Sequence, residues 1–184
     1  YHLDPIPLVI AMEATGVYYE QAAVFFHKSN RLVSVILPIK AKKYMQAIGY
    51  KTKNDKIDAA GLSRMGAEQQ LEIWQPMGDF FYKLRQLTRH HQSLQESITS
   101  FKNQLHAIEH SAWSVKEVVT HLKKIIKLFE TQVEQTKEAI TNLINTDEEV
   151  KQRVDHIRMI KGVGLMTSAT IIAETNGFVL FKNI

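Results

Sequence analysis

The period of the apolar positions changes twice along this chain. Ile6 to Met12 (IPLVIAM) is an unbroken apolar run of buried-strand length, with Pro5 and Pro7 at its start, and it predicts a strand. Glu13-Ala-Thr-Gly ends the run. Val17 to Lys28 then carries apolar residues at helical spacing, and Arg31 to Leu37 (RLVSVIL), rich in β-branched side chains and stopped by Pro38, predicts a second strand. Two short helices are expected next, Ala41 to Ile48 and Asp55 to Gln69. Strand, helix, strand, helix implies parallel pairing through crossovers. Two strands make a poor sheet, so further strands are expected from outside these residues.

From Phe80 to Val154 there is neither glycine nor proline, and the period becomes helical throughout. Phe80, Leu84, Leu87, His91, Leu94, Ile98, Phe101, Leu105 and Ile108 form one series. Val115, Val118, Val119, Leu122, Ile125, Ile126, Phe129, Val133, Ile140, Leu143 and Ile144 form another. Between them His110 to Ser114 breaks the pattern, and Ser114 with Glu117 matches a capping box. The pattern predicts two long helices folded as an antiparallel hairpin or coiled coil, with Trp113 packed at its tip. The charges nearly balance, so this surface reads as solvated, with self-association as its use. Further on, Thr146 or Asp147 is expected to cap a short helix through Ile157. Lys161-Gly162-Val163-Gly164 then forms a tight turn feeding a small-residue helix, Leu165 to Glu174. That is a helix-hairpin-helix pattern, whose glycine-turn N–H groups can hold a phosphate; an ordinary connector is the plainer alternative.

The organisation expected is therefore α/β plus α: residues 1–79 as an α/β region, 80–145 as antiparallel helices, and 146–184 as the start of a further helical domain. With no cysteine, disulfides, thiolate zinc sites and a cysteine nucleophile are excluded. No apolar run approaches the length of a membrane span and no signal peptide opens the chain, which makes a cytoplasmic setting the default expectation. The chain starts without Met and close to a strand, which suggests a piece of a longer polypeptide.

Charge becomes informative only locally. Lys40, Lys42, Lys43, Lys51, Lys53 and Lys56 crowd one short stretch in which Asp55 is the sole acid. Just beyond, Asp55 and Asp58 sit three apart, a spacing that places both on one face of a helix, about 5–6 Å apart at Cβ. Carboxylates so close repel unless a cation joins them, and hard oxygen donors favour Mg²⁺ or Mn²⁺. Glu13 stands at a strand end, the edge where open parallel sheets bind ligands. A strand-end glutamate facing a helix-borne aspartate pair can build a metal site for phosphoryl transfer. The lysines would then contact phosphates without reading sequence. The bland alternative is a dipole-stabilised Asp55, an exposed Asp58 and a solvated lysine loop.

MEATG (Met12 to Gly16), KTKNDKIDA (Lys51 to Ala59) and IKGVG (Ile160 to Gly164), in that order and spacing, resemble the DEDD transposases of bacterial insertion sequences. These are of the IS-one-ten type, relatives of the Piv invertases and of bridge-RNA-guided recombinases. The resemblance implies a partial RuvC-like, RNase-H-type domain, then the coiled coil and the start of a helix-hairpin-helix domain. It implies Glu13, Asp55 and Asp58 as catalytic metal ligands, with Mg²⁺ or Mn²⁺ as cofactor. The family's first aspartate belongs on an earlier strand; Asp4 does not match it. Its serine nucleophile belongs beyond the glycine turn; Ser168 has the wrong context. This chain alone is therefore expected to be inactive. DNA is the implied substrate, contacted by Lys40, Lys42, Lys43, Lys51, Lys53, Lys56, Lys161, Gly162 and Gly164. A guide RNA is implied for some members, and a homo-oligomer is expected through the coiled coil. Two other readings stand beside it: a RuvC-like junction resolvase, and a non-catalytic coiled-coil module that binds DNA or scaffolds an assembly.

Overall fold

The computed structural model describes residues 8–50 and 54–178. The expected strand start at Ile6, with Pro5 and Pro7, and the lysines Lys51 and Lys53 lie outside them. The architecture is α/β followed by α, in two compact units that divide after Pro76.

In the first unit, β1 (Val9–Glu13) and β2 (Leu32–Ile36) pair in parallel, from Val9 opposite Leu32 to Glu13 opposite Ile36, with α1 (Tyr18–Lys28) as the crossover. The Ala14 N–H continues the ladder by donating to Ile36 O at 2.9 Å. Pro38 ends β2 as expected, but it also opens α2 (Pro38–Ala47) at its first turn. The expected start at Ala41 is thus three residues late. A missing N–H costs nothing in a first turn, so proline is welcome there. The next helix, α3 (Asp55–Glu68), is capped by Asn54, whose Oδ1 accepts from the Ile57 N–H at 2.9 Å. Ile36, Ala41 and Met65 form the unit's buried core, with Ala11, Tyr44, Leu62 and Leu71 packed against it. Tyr44 donates to Glu68 Oε2 and Arg64 to Glu68 Oε1, each at 2.6 Å, tying α2 to α3. Trp74 stays within this unit: its N–H donates to Val33 O, and its ring meets His27 edge-on.

The second unit is helical. α4 (Asp79–Glu109) and α5 (Lys116–Asn145) form an antiparallel hairpin: Leu84 packs near Ile140, Phe101 meets Phe129 edge-on, Lys102 pairs with Glu130, and Glu109 pairs with Lys123. Residue numbers rise on one helix as they fall on the other. The Ser114–Glu117 capping box does not form; Val115 is the capping residue, and no side chain serves α5 there. Ser111 orders the turn instead, its Oγ lying 2.8 Å from Ile108 O and 2.9 Å from Trp113 O. α6 (Glu148–Arg158) is capped by Asp147, which accepts from the Val150 N–H at 3.0 Å. α7 (Leu165–Glu174) closes the unit. Leu84, Ile140, Ile144, Val150, Val154, Ala169, Ile172 and Ala173 form one core drawn from all four helices.

Within the hairpin His91 is 7% exposed, and its Nε2 has no hydrogen-bond partner. Burial lowers its pKa from the usual histidine value, Lys137 lowers it further, and Glu134 opposes them. A depressed folded pKa means that the unfolded chain takes up the proton first as pH falls. His91 therefore supports folding above about pH 6.5, and that support is lost as pH drops through the folded value. Urea midpoints of the helical signal should fall more steeply between pH 7 and 5 for the wild type than for His91→Gln. Parallel profiles would show that His91 does not govern this slope.

Candidate functional site

Glu13 ends β1 half-buried, and Thr15 Oγ1 donates to its Oε1 at 3.0 Å. The EATG motif thus contains its own orienting hydroxyl, two residues after the carboxylate. Side chains alternate along a strand, so Glu13 shares the sheet face of Ala11. α3 covers that face: a Cβ built on Gly66 would lie 3.8 Å from the Ala11 Cβ.

Asp55 and Asp58 occupy the first turn of α3, Asp55 exposed and Asp58 half-buried. Helical spacing puts Asp58 in line with Leu62 and Met65, the residues that meet the sheet core. The aspartate pair therefore extends the sheet-facing stripe of the helix. Asn54 fixes this start, and a first-turn position suits carboxylates through the helix dipole.

The three carboxylates offer only hard oxygen donors, which is the right chemistry for Mg²⁺ or Mn²⁺. Among the described residues no three acidic, histidine or cysteine side chains converge to hold an ion.

Lys40, Lys42, Lys43 and Lys56 are exposed. Lys40 and Lys43, three apart, share a side of α2, while Lys42 points elsewhere. In the second unit Lys161 and Gly162 are exposed in the turn before α7, and Gly162 has φ +89°, a left-handed backbone that glycine adopts without penalty. The Val163 N–H closes the turn onto Ile160 O at 3.0 Å, and Gly164 is the capping residue of α7. Met159 and Ile160 beside it are largely exposed.

Two contributors escaped the reading of the sequence. Thr15 was visible within EATG, and Asn54 stands directly before the aspartate pair as a cap residue should. Trp113 was expected to pack at the hairpin tip; its side chain is 90% exposed. Among the described residues no helix is long and apolar enough to cross a membrane.

A short parallel sheet ending in EATG, a capped helix carrying paired aspartates and a long helical hairpin occur here together. The chain belongs to the DEDD transposase family of the IS110 type, whose sequence model matches residues 4–112. That span contains Glu13, Asp55, Asp58 and the lysine-rich stretch, and it stops before the glycine turn. The chain is also similar to the pilin gene-inverting proteins of Moraxella lacunata and Moraxella bovis, each 35% identical over 89 residues. The alignment takes in 48% of this chain and 28% of each relative, so the chain spans less than a third of their length.

Proposed function

We propose that this chain is part of a transposase or site-specific recombinase that cuts and rejoins DNA by metal-dependent phosphoryl transfer. The observation that carries the reading is the family match, which encloses all three acids and the helix start that puts two of them on one face. In this reading the first unit is a partial RuvC-like domain, and Glu13, Asp55 and Asp58 are ligands for Mg²⁺ or Mn²⁺. Such an ion would polarise a phosphoryl oxygen. A further aspartate, which the resemblance implies, would complete the ligand set. Lys40, Lys42, Lys43, Lys51, Lys53 and Lys56 contact the DNA backbone around the acids. Lys161, Gly162 and Gly164 present a helix-hairpin-helix turn to a phosphate. The α4–α5 hairpin acts as a coiled coil that joins copies of the protein, and a guide RNA stands as a partner by kinship alone.

Mn²⁺ titration followed by calorimetry and by paramagnetic line broadening tests the acidic site. Wild type should broaden signals of Glu13, Asp55 and Asp58 together, and Asp58→Asn should weaken Mn²⁺ binding about tenfold or more. Equal binding by the two proteins removes the ligand assignment. The hairpin supports a second reading, a non-catalytic DNA-binding or scaffold module. It predicts DNA binding and self-association that ignore both Mn²⁺ and Asp58→Asn.

A further inference from the structure

Trp113 is the largest side chain left without a place in the fold. It sits between α4 and α5, its carbonyl held by Ser111, its indole 90% exposed. An ordered loop that displays an indole in water gains nothing from it within the chain. Before it in the chain, His106 and His110 stack on each other at 4.1 Å.

On its other side α5 begins, and the outward face of that helix is polarised. Lys116, Thr120, Lys124, Lys127 and Thr131 fall within a narrow arc opposite the buried line of Leu122, Ile126 and Val133. All five are exposed, and among the described residues no ion pair engages Lys116, Lys124 or Lys127. Two acids occur in the same stretch: Glu130 is bound to Lys102, and Glu117 stands at the flank of the arc. Glu134 and Glu138 enter this face only beyond Thr131, away from the tip. A merely solvated face would mix its signs along its length. Lys116 moreover occupies the first turn of α5, where the helix dipole disfavours a cation. Helix stability does not explain it.

We infer that the tip and outer face of the hairpin form a DNA-binding arm, in which Lys116, Lys124 and Lys127 hold a phosphate backbone and Trp113 stacks on an unpaired base. The lysines span about 17 Å of helix axis, comparable to about five phosphates of one strand. An aromatic face beside a cationic track is the arrangement that binds single strands, since every base has a face to offer. Bases inside a duplex are already stacked, so the arm selects forked DNA, whose unpaired strands leave base faces free. The choice of DNA rests on the function proposed above; the surface itself is independent of Glu13, Asp55 and Asp58.

The test is fluorescence anisotropy of the whole chain with blunt and forked DNA of equal length, across a salt series. Lys116→Gln/Lys124→Gln/Lys127→Gln should weaken both DNAs and lower the salt slope by about 2 to 3. Trp113→Ala should lose about tenfold on forked DNA, little on blunt DNA, and keep the wild-type slope. Intrinsic fluorescence should fall when wild type binds forked DNA and stay level for Trp113→Ala, in which Trp74 alone reports. All four side chains are exposed, so circular dichroism should be unchanged. Variants that match wild type overturn the arm and leave the acidic site standing. So does a change confined to oligomeric state, which would make the tip an interface between copies. A wild type that binds neither DNA overturns the arm and the DNA reading together, whereas the Mn²⁺ result stands separately.

Discussion

Leu84→Ala should lower the stability of the helical unit by about 3 kcal/mol, the usual cost of emptying a fully buried leucine site. Leu84 is 0% exposed and projects from α4 into the core built by α5, α6 and α7. The cavity would be walled by residues on separate helices, Ile140 and Ile144 on α5, Val150 and Val154 on α6, and Ile172 on α7. No single side chain can turn in to fill it. Against a typical total of about 5–15 kcal/mol, that loss is large. Thermal and urea unfolding followed at 222 nm would show it as a lower midpoint with an unchanged denaturant slope. Leu128→Ala, on the exposed side of α5, should stay within about 0.5 kcal/mol. A small loss at Leu84 would mean that the four helices do not share this core.

The elements were legible because their signals were redundant. β2 has both β-branched residues and a proline stop, and its observed span, Leu32–Ile36, lies inside the expected one. α7 runs from Leu165 to Glu174 as its glycine turn and small residues indicated. Where one signal stood alone it failed. Ser114 and Glu117 have capping-box spacing, yet α5 starts one residue later, and the hydroxyl that shapes the turn is Ser111. Pro38 is both a stop and a start, because proline suits both the residue after a strand and a first helical turn.

The candidate site was legible in chemistry and less so in space. A spacing of three fixes Asp55 and Asp58 on one helical face wherever the helix lies, since that geometry is local. Their relation to Glu13 depends on how α3 crosses the sheet, and no local pattern encodes this. Trp113 shows the same limit from the other side. Its apolar character argued for burial, but burial needs a facing surface. At the end of a two-helix hairpin the described residues provide none.

Gly177→Ala should cost about as much as Leu84→Ala, for a different reason. Gly177 follows α7 with φ +65°, its N–H donating to Ile172 O at 2.9 Å and its O accepting from Arg153 Nη1 at 2.7 Å. A left-handed backbone costs an alanine about 1–2 kcal/mol. The added Cβ would also stand 2.6 Å from Phe81 Cζ and 3.0 Å from its Cε1. Phe81 cannot simply withdraw, for it packs on the core and meets Phe80 edge-on at 5.3 Å. Relieving the overlap means shifting the end of α7, at about 1–3 kcal/mol more. Because α7 begins at Gly164, its displacement would loosen the glycine turn as well. Gly162→Ala provides the control: its φ is also positive, at +89°, but nothing lies within 4 Å of its added Cβ. It should lose only the backbone part, about 1–2 kcal/mol. Hydrogen exchange of the α7 amides and the unfolding midpoint should both rank Gly177→Ala well below Gly162→Ala. Equal losses at the two glycines would show that backbone conformation, and not the Phe81 contact, holds the end of this helix.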